Sequence, residues 1–312
     1  MDINWERSLP YYDLTQTELL TVFPRFKNTK LLALERITIG CRNTNYLLTT
    51  IKSKYLVRIC SVKSALISNE IAFNHNLTKI INCPQLLDYC FKDKKYFMLY
   101  QFIAGTNLSH YLINNELSRM NIIHIAEMLA KTHSFQPPED VKLEKLDLPP
   151  FESWYEYFLS HQVAAKLLGN RRIREIKKFV RNNPLLLTQI VNYSSFIHSD
   201  FRPANMIITS KQEIYIVDWE YCGLGHSLAD IGQFFRYRAC FNSWHKELFA
   251  KTYNQFSLKK LPNNWYLLAR LRDLINPLQM LGNVEKKLHM QADLLNVVDN
   301  ILEELYAKRG TT

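Results

Sequence analysis

His198-Ser-Asp-Phe-Arg-Pro-Ala-Asn205, followed by Val217-Asp-Trp-Glu220, sets an Asp and an Asn five positions apart and a second Asp beyond a short apolar run. Oxygen ligands of this kind suit a hard divalent cation, which takes carboxylates and amide carbonyls in preference to sulfur or imidazole. Asn205 and Asp218 can fill that role, leaving Asp200 to orient or deprotonate a hydroxyl. Glu213-Ile-Tyr-Ile-Val217 is β-branched and apolar, and Ser210-Lys-Gln bounds it, so it reads as a short buried strand that delivers Asp218 at its end. Phe196 and Ile197 before the loop, and Met206 to Ile208 after it, are also apolar. The polar residues therefore sit on a turn pinned into a core from both sides, as a preorganised site requires.

Order and spacing match the catalytic loop H-R-D-x-x-x-x-N of kinases and their later magnesium-binding Asp. Phosphoryl transfer needs these parts, a carboxylate for the nucleophile and oxygen ligands for the cation that neutralises the phosphates. Together with Leu228-Ala-Asp-Ile-Gly232, the two motifs resemble the aminoglycoside phosphotransferase and choline kinase superfamily, which writes them as H-G-D-x-x-x-x-N, I-D-W/F-E and a later D-L/I-A/G. The resemblance implies an α+β, bilobal, protein-kinase-like fold. Residues 1–102 would form a small lobe with an antiparallel sheet and one helix, and 103–312 a larger, mainly helical lobe. It further implies ATP and Mg2+ between the lobes and a small molecule as acceptor of the phosphoryl group. His198 and Asp230 would brace the loop. Two positions depart from the family. Ser199 stands where Gly is usual, so the turn must accommodate a side chain. Arg202 stands where protein kinases carry Lys and this family often His. Its guanidinium can reach the transferring phosphate or pair with a nearby carboxylate, and both readings stay open.

Upstream, Gly40-Cys-Arg-Asn-Thr-Asn-Tyr46 resembles the G-x-T-N-x-N-Y turn of choline kinase-like proteins, with Arg42 replacing a small hydroxyl residue. Flanked by β-prone segments, it reads as a hairpin whose turn, Asn43 included, covers nucleotide phosphates with backbone N–H groups. Tyr55-Leu-Val-Arg58-Ile59 then resembles the strand carrying the ATP-contacting cation. Glu70, in the helical stretch Ser68 to His75, is its natural ion-pair partner; the alternative is an ordinary strand Arg and a solvated helix Glu. Tyr96 to Ile103 reads as a buried strand running into a bend at Ala104-Gly105. In the family this strand leads to the hinge that grips adenine, which assigns Gln101, Phe102 and Ile103 to the cofactor.

Composition fits a soluble enzyme of this size. The 312 residues are 47% hydrophobic and 22% charged, enough for two lobes sharing a cleft. No apolar run approaches the roughly 18 residues of a membrane span, and Met1-Asp-Ile-Asn-Trp-Glu6 lacks the regions of a signal peptide. Six cysteines show neither metal-ligand pairs nor a secreted framework, so a cytoplasmic setting is expected. The net charge of +10 raises the question of nucleic acid. Its densest run, Arg171 to Arg181, places Ile173, Ile176 and Val180 at helical spacing without aromatic residues to stack bases, which describes a solvated helix face. Attraction of ATP and other anions accounts for the sign, and neither nucleic acid nor membrane is expected as a partner.

The remaining sequence builds the larger lobe. Met120 to His133 carries apolar residues at 122, 125, 129 and 130, a helix with one buried face and His133 as a hydrogen-bonded core residue. A polar, proline-marked loop is expected from Gln136 to Pro150. Helices over Trp265 to Asn276 and Asp293 to Lys308 follow. An amine-bearing acceptor would need carboxylates or aromatic faces. Glu220, Asp273, Trp154 and Trp265 are the candidates. The alternative pairs Glu220 with Arg202 or Arg236 and leaves the tryptophans in the core.

Overall fold

Segments rich in Leu, Ile, Val, Tyr and Thr over Leu31–Ile37, Thr44–Thr50 and Lys54–Ser61 form three consecutive antiparallel strands, β1 to β3. The structure, a computed structural model, describes residues 2–61, 67–139, 141, 143, 153–191, 195–284 and 286–307. Ahead of the strands, α1 (Gln16–Val22) is capped by the Thr15 side chain. Gly40, at φ 114°, supplies the backbone conformation that the β1–β2 turn requires and that other residues rarely adopt. After β3 come α2 (Ile67–Leu77), β4 (Leu86–Lys92) and β5 (Lys95–Gln101). The sheet order is β1-β2-β3-β5-β4. Its register sets Asn45, Arg58 and Met98 in one row, so Arg58 sits on a central strand with neighbours on both sides.

Helices dominate thereafter. A short strand β6 (Thr106–Asn107) leads into α3 (Leu108–Tyr111) and α4 (Arg119–Ser134). Ile122, Ile125, Leu129 and Ala130 of α4 are fully buried, as the spacing predicts. Next come α5 (Trp154–Ser160), α6 (Gln162–Arg181) with a break at Gly169, and α7 (Pro184–Val191). The strands β7 (Ser195–Ile197), β8 (Met206–Ile208), β9 (Ile214–Ile216) and β10 (Gly223–Gly225) form two small sheets, β6-β8-β9 and β10-β7. These hold the quoted motif between them. The chain closes with α8 (Ser227–Phe234), α9 (Ser243–Phe256), α10 (Trp265–Asp273), α11 (Ile275–Leu281) and α12 (Leu288–Ala307). The result is the expected α+β, two-lobed architecture, with separate cores under the five-stranded sheet and among the helices.

Two sequence expectations need adjusting, and a third lies mostly outside the described residues. The helix expected over Trp265 to Asn276 is two helices meeting at Leu274, because Pro277 has no N–H to donate to the carbonyl of Asp273. The last helix begins five residues earlier than expected, at Leu288, and Lys308 lies outside the described residues. Most of the loop expected between Gln136 and Pro150 lies outside them too. Where α8 crosses α10, Gly232 is indispensable: a Cβ there would stand 2.3 Å from the carbonyl oxygen of Ala269. No helix among the described residues is long and apolar enough to cross a membrane. No disulfide joins cysteines among the described residues.

Candidate active site

The catalytic-loop motif folds as a tight turn held from behind. Ser199 adopts φ 69°, the left-handed conformation its family position implies, although it carries a side chain. Asp230, at the start of α8, accepts the backbone N–H of His198 at 2.7 Å and of Ser199 at 2.9 Å. The carboxylate thus acts as a cap on the loop, and His133 from α4 reaches it at 3.2 Å while also meeting the Tyr253 hydroxyl. His198 is fully buried; its Nε2 meets the Val217 carbonyl, and its Nδ1 accepts from the Asp200 N–H. One ring therefore ties the loop to the strand end that carries Asp218. Asp218 itself sits at φ 66°, turned out of the strand direction.

Asp200 projects from this turn with its side chain 23% exposed. The Asn205 amide nitrogen donates to its carbonyl at 2.8 Å and to its carboxylate at 2.7 Å. That orientation leaves the amide oxygen of Asn205 pointing away, as a ligand for a cation. Arg202 grips Asp200 with two prongs, Nε at 2.6 Å and a terminal nitrogen at 2.8 Å, and its other terminal nitrogen pairs with Asp2. Burial works against ionisation of Asp200, but the adjacent guanidinium outweighs it and holds the carboxyl below the usual carboxylate range. In this structure Arg202 pairs with carboxylates, the second of the two readings left open above.

Across the cleft, Arg58 is 5% exposed and Glu70 1%. Arg58 pairs with Glu70, donates to Asp218 at 2.8 Å and to the Tyr100 hydroxyl at 2.9 Å. Burial alone would lower the guanidinium's pKa; the Glu70 carboxylate reverses this and raises it well above its ordinary value. A chain of charges thus runs from α2 through β3 to the strand end bearing Asp218. The β1–β2 turn closes over it. Asn43 donates to Glu220 at 2.7 Å, and Arg42 meets the Tyr221 hydroxyl. Asn69 of α2 donates to the carbonyl of Cys222. Gln101, Phe102 and Ile103 follow β5 at its exit from the sheet, with Gln101 exposed and the other two half-buried.

Several acceptor-side assignments from sequence are corrected. Asp273 lines no cleft: its side chain is wholly buried between Arg236, at 2.6 Å, and Arg270, at 3.2 Å. A carboxylate on an amphipathic helix looks solvated in sequence, and its partner lies 37 residues away. Trp265 stacks on Phe249 and tilts against Phe235, half-buried against the helical core. Trp154 packs edge-on to Phe158 and lies under the Arg272 guanidinium. Glu220 is 4% exposed and joins Asn43, rather than Arg202 or Arg236. Burial, then the Asp218 charge, push its carboxyl up to about 7, against the pull of Arg58 and Asn43.

Sequence reasoning also missed residues that complete the site. Tyr100 joins Arg58, and Asp2, Trp5 and Tyr237 surround Arg202. Their spacing carries no motif; only the fold brings them in. Among the described residues no three His, Cys, Asp or Glu could hold a metal by themselves. A divalent cation at Asn205 and Asp218 would draw its remaining oxygens from phosphates and water, which is the habit of Mg2+. The donor set fits.

A comparison with curated protein sequences finds no match. Solved structures match throughout. A spectinomycin phosphotransferase in complex with ADP and spectinomycin superposes with TM-score 0.61 at 13% identity, covering 93% of this chain and 99% of that one. Choline kinase from Streptococcus pneumoniae gives 0.62 at 16% identity, covering 93% and 100%. A thermostable mutant of an aminoglycoside phosphotransferase, in ternary complex with AMP-PNP and hygromycin B, gives 0.64 at 13% identity, covering 93% and 98%. The fold is therefore the protein-kinase-like fold of small-molecule phosphotransferases. The profile of the phosphotransferase enzyme family matches residues 33–272, most of the chain and every motif described above. The chain belongs to the phosphotransferase enzyme family.

Proposed function

We propose that this protein is an ATP- and magnesium-dependent kinase that phosphorylates a hydroxyl group of a small, amine-bearing alcohol or amino sugar. One observation supports the first half: Asp200 and Asn205 are hydrogen-bonded on one turn, Asn205 and His198 tie that turn to Val217 beside Asp218, and Arg58 bridges Glu70 and Asp218. In this reading residues 1–102 form the nucleotide lobe and 103–312 the catalytic and acceptor lobe. Asp200 orients the acceptor hydroxyl and takes its proton as the new oxygen–phosphorus bond forms. Asn205 and Asp218 supply oxygen ligands, and bound Mg2+ would neutralise charge on the phosphates. Arg58, steadied by Glu70, holds the nucleotide phosphates beneath the β1–β2 turn that contains Asn43. Gln101, Phe102 and Ile103 face the adenine. His198 and Asp230 keep the loop rigid.

Support for a cationic acceptor has moved from Glu220 and Asp273 to the other side of Arg202. There Asp293 accepts the Trp5 indole N–H at 3.0 Å and the Tyr237 hydroxyl at 2.8 Å. Trp5 also covers Arg202, so Asp293 stands about one indole from the catalytic loop. Asp200, Asp2 and Asp293 outnumber Arg202, the Arg236 charge that also reaches Asp200 is paired with Asp273, and two aromatic rings accompany them, an environment that favours an amine over a neutral sugar. Transfer of labelled phosphate from ATP to a panel of amino alcohols, aminoglycosides, vitamin precursors and neutral sugars tests the proposal. Turnover of one amine-bearing acceptor, lost in Asp200→Asn, is the expected result. Efficient use of a neutral sugar alone overturns the acceptor class, and ATP binding without any transfer overturns the kinase.

A further inference from the structure

Residues 2–8 lie across the mouth of the site and are fastened at both lobes. Glu6 accepts the backbone N–H groups of His289 and Met290 at the start of α12, at 2.7 and 3.0 Å. Arg7 donates to the carbonyls of Gly40, Arg42 and Asn43, each at 2.9 Å, and so holds the β1–β2 turn. Between these anchors and the catalytic loop, Trp5 sets its ring 5.0 Å from the guanidinium carbon of Arg202. Asp2, 8% exposed, pairs with the terminal nitrogen of Arg202 that Asp200 does not use, and the Ser109 hydroxyl meets its other oxygen at 3.4 Å. Arg202 is thereby held on three sides.

An arginine side chain has many rotamers, and about 2 kcal/mol of conformational entropy opposes holding it in one. The turn sets Arg202 beside Asp200, its N–H donating to the Asp200 carbonyl at 2.9 Å, while the guanidinium is held by side-chain partners. The two-pronged geometry on Asp200 therefore depends on what fixes the far end. We propose that Asp2, assisted by Trp5, is a positioning residue that clamps Arg202 onto Asp200 and so sets the direction in which the Asp200 carboxylate faces the acceptor. The inference rests on the kinase reading given above. Asp2 touches neither nucleotide nor acceptor in this role; it acts through Arg202. When Asp2 is replaced, the guanidinium loses one of its two carboxylates and can rotate toward solvent, and the Asp200 carboxylate is left to the Asn205 amide without the two-pronged grip. Misplacement by about 1 Å of a reacting group costs about a hundredfold in rate.

The test uses the full chain and Mg·ATP hydrolysis, with water as acceptor. Asp2→Asn is expected to lower kcat by roughly 10- to 100-fold, with the KM for ATP changed less than about threefold. Asp2→Glu, which restores the charge, recovers part of the loss. A purely structural role would lower the thermal midpoint without this split. Independently of turnover, the Arg202 Nε–H resonance in a 15N spectrum, identified by its disappearance in Arg202→Lys, should exchange slowly in the wild type. It should exchange fast in Asp2→Asn. An unchanged resonance in Asp2→Asn, or a kcat equal to or above wild type, overturns the clamp. Wild-type protein that neither binds nor hydrolyses Mg·ATP would sink the kinase reading instead, while the Arg202 resonance still decides whether the clamp exists.

Discussion

Replacing Arg58 with Met strands Glu70, a carboxylate 1% exposed, with the Tyr100 hydroxyl as its remaining side-chain partner among the described residues. Removing one partner of a buried ion pair costs about 3–5 kcal/mol, because the remaining charge stays desolvated. That is a large share of the roughly 5–15 kcal/mol that holds a typical domain together. Glu70→Leu should cost less, about 2–4 kcal/mol on the same scale, since Arg58 keeps Asp218 at 2.8 Å, and that carboxylate is 35% exposed. The double variant Arg58→Met, Glu70→Leu removes both charges and leaves apolar groups of similar bulk. It should be more stable than Arg58→Met alone, with a coupling of at least about 2 kcal/mol. Urea titrations at pH 7, followed by circular dichroism and by tryptophan fluorescence, give the four free energies, provided the two probes coincide. Single-variant losses that simply add, to within about 0.5 kcal/mol, would refute the pair. Arg58 would then lose its brace, and with it the argument for a fixed phosphate contact.

Asp200→Asn should lower turnover by roughly two to four orders of magnitude while nearly preserving nucleotide affinity, as measured by titration calorimetry with a non-hydrolysable ATP analogue; turnover close to wild type would remove Asp200 as the base. Asp273→Asn should cost about 3–5 kcal/mol in a thermal or urea melt, because it leaves Arg236 and Arg270 under-neutralised in the core; a variant of wild-type stability but altered acceptor KM would return Asp273 to the pocket. Without nucleotide or metal, Glu220 should make the fold less stable as pH rises. Its carboxyl is raised from 4.5 to about 7 amid Asp218, Arg58, Glu70 and Asn43, so its favourable contribution is complete below about 4.5 and lost through about 7. Glu220→Gln should flatten that slope, and melts between pH 5 and 8 that superpose for the two proteins would discredit the shift. Ser199→Gly should change stability by no more than about 1 kcal/mol, since relief of the left-handed strain offsets the added freedom of the unfolded chain; a loss of more than about 2 kcal/mol would mean that the Ser199 hydroxyl has a role of its own.

The legible part of this site was the part contiguous in sequence. Asp200, Asn205 and Asp218 sit on one turn and one strand end, so their order and spacing were enough to single them out, and Ser199, which puts a side chain at a usual glycine position, adopts φ 69°. Arg58 and Glu70 could be paired because the family resemblance sets a cation on this strand and a partner on the helix that follows. The acceptor side was opaque for a different reason. Asp273 and Glu220 occupy segments whose polar residues look solvated, yet each is buried beside a partner contributed by another element, Arg236 in one case and Asn43 in the other. Conversely, Asp2 lies 200 residues from Arg202 and carries no local signature. Long-range charge pairing obeys the fold rather than the helical or strand period, and a single sequence does not display it.

The crossing at Gly232 bears on how far this enzyme can be altered. No side chain fits there, because the Ala269 carbonyl would lie 2.3 Å from a Cβ and the Asp273 Cβ 2.8 Å from it. Two residues earlier on the same helix, Asp230 holds the backbone of His198 and Ser199. Any change that wedges α8 away from α10 is therefore delivered directly to the catalytic turn. Laboratory or natural retargeting toward a new acceptor must leave this joint untouched, because a shift of α8 reaches the turn that carries Asp200 through the Asp230 carboxylate.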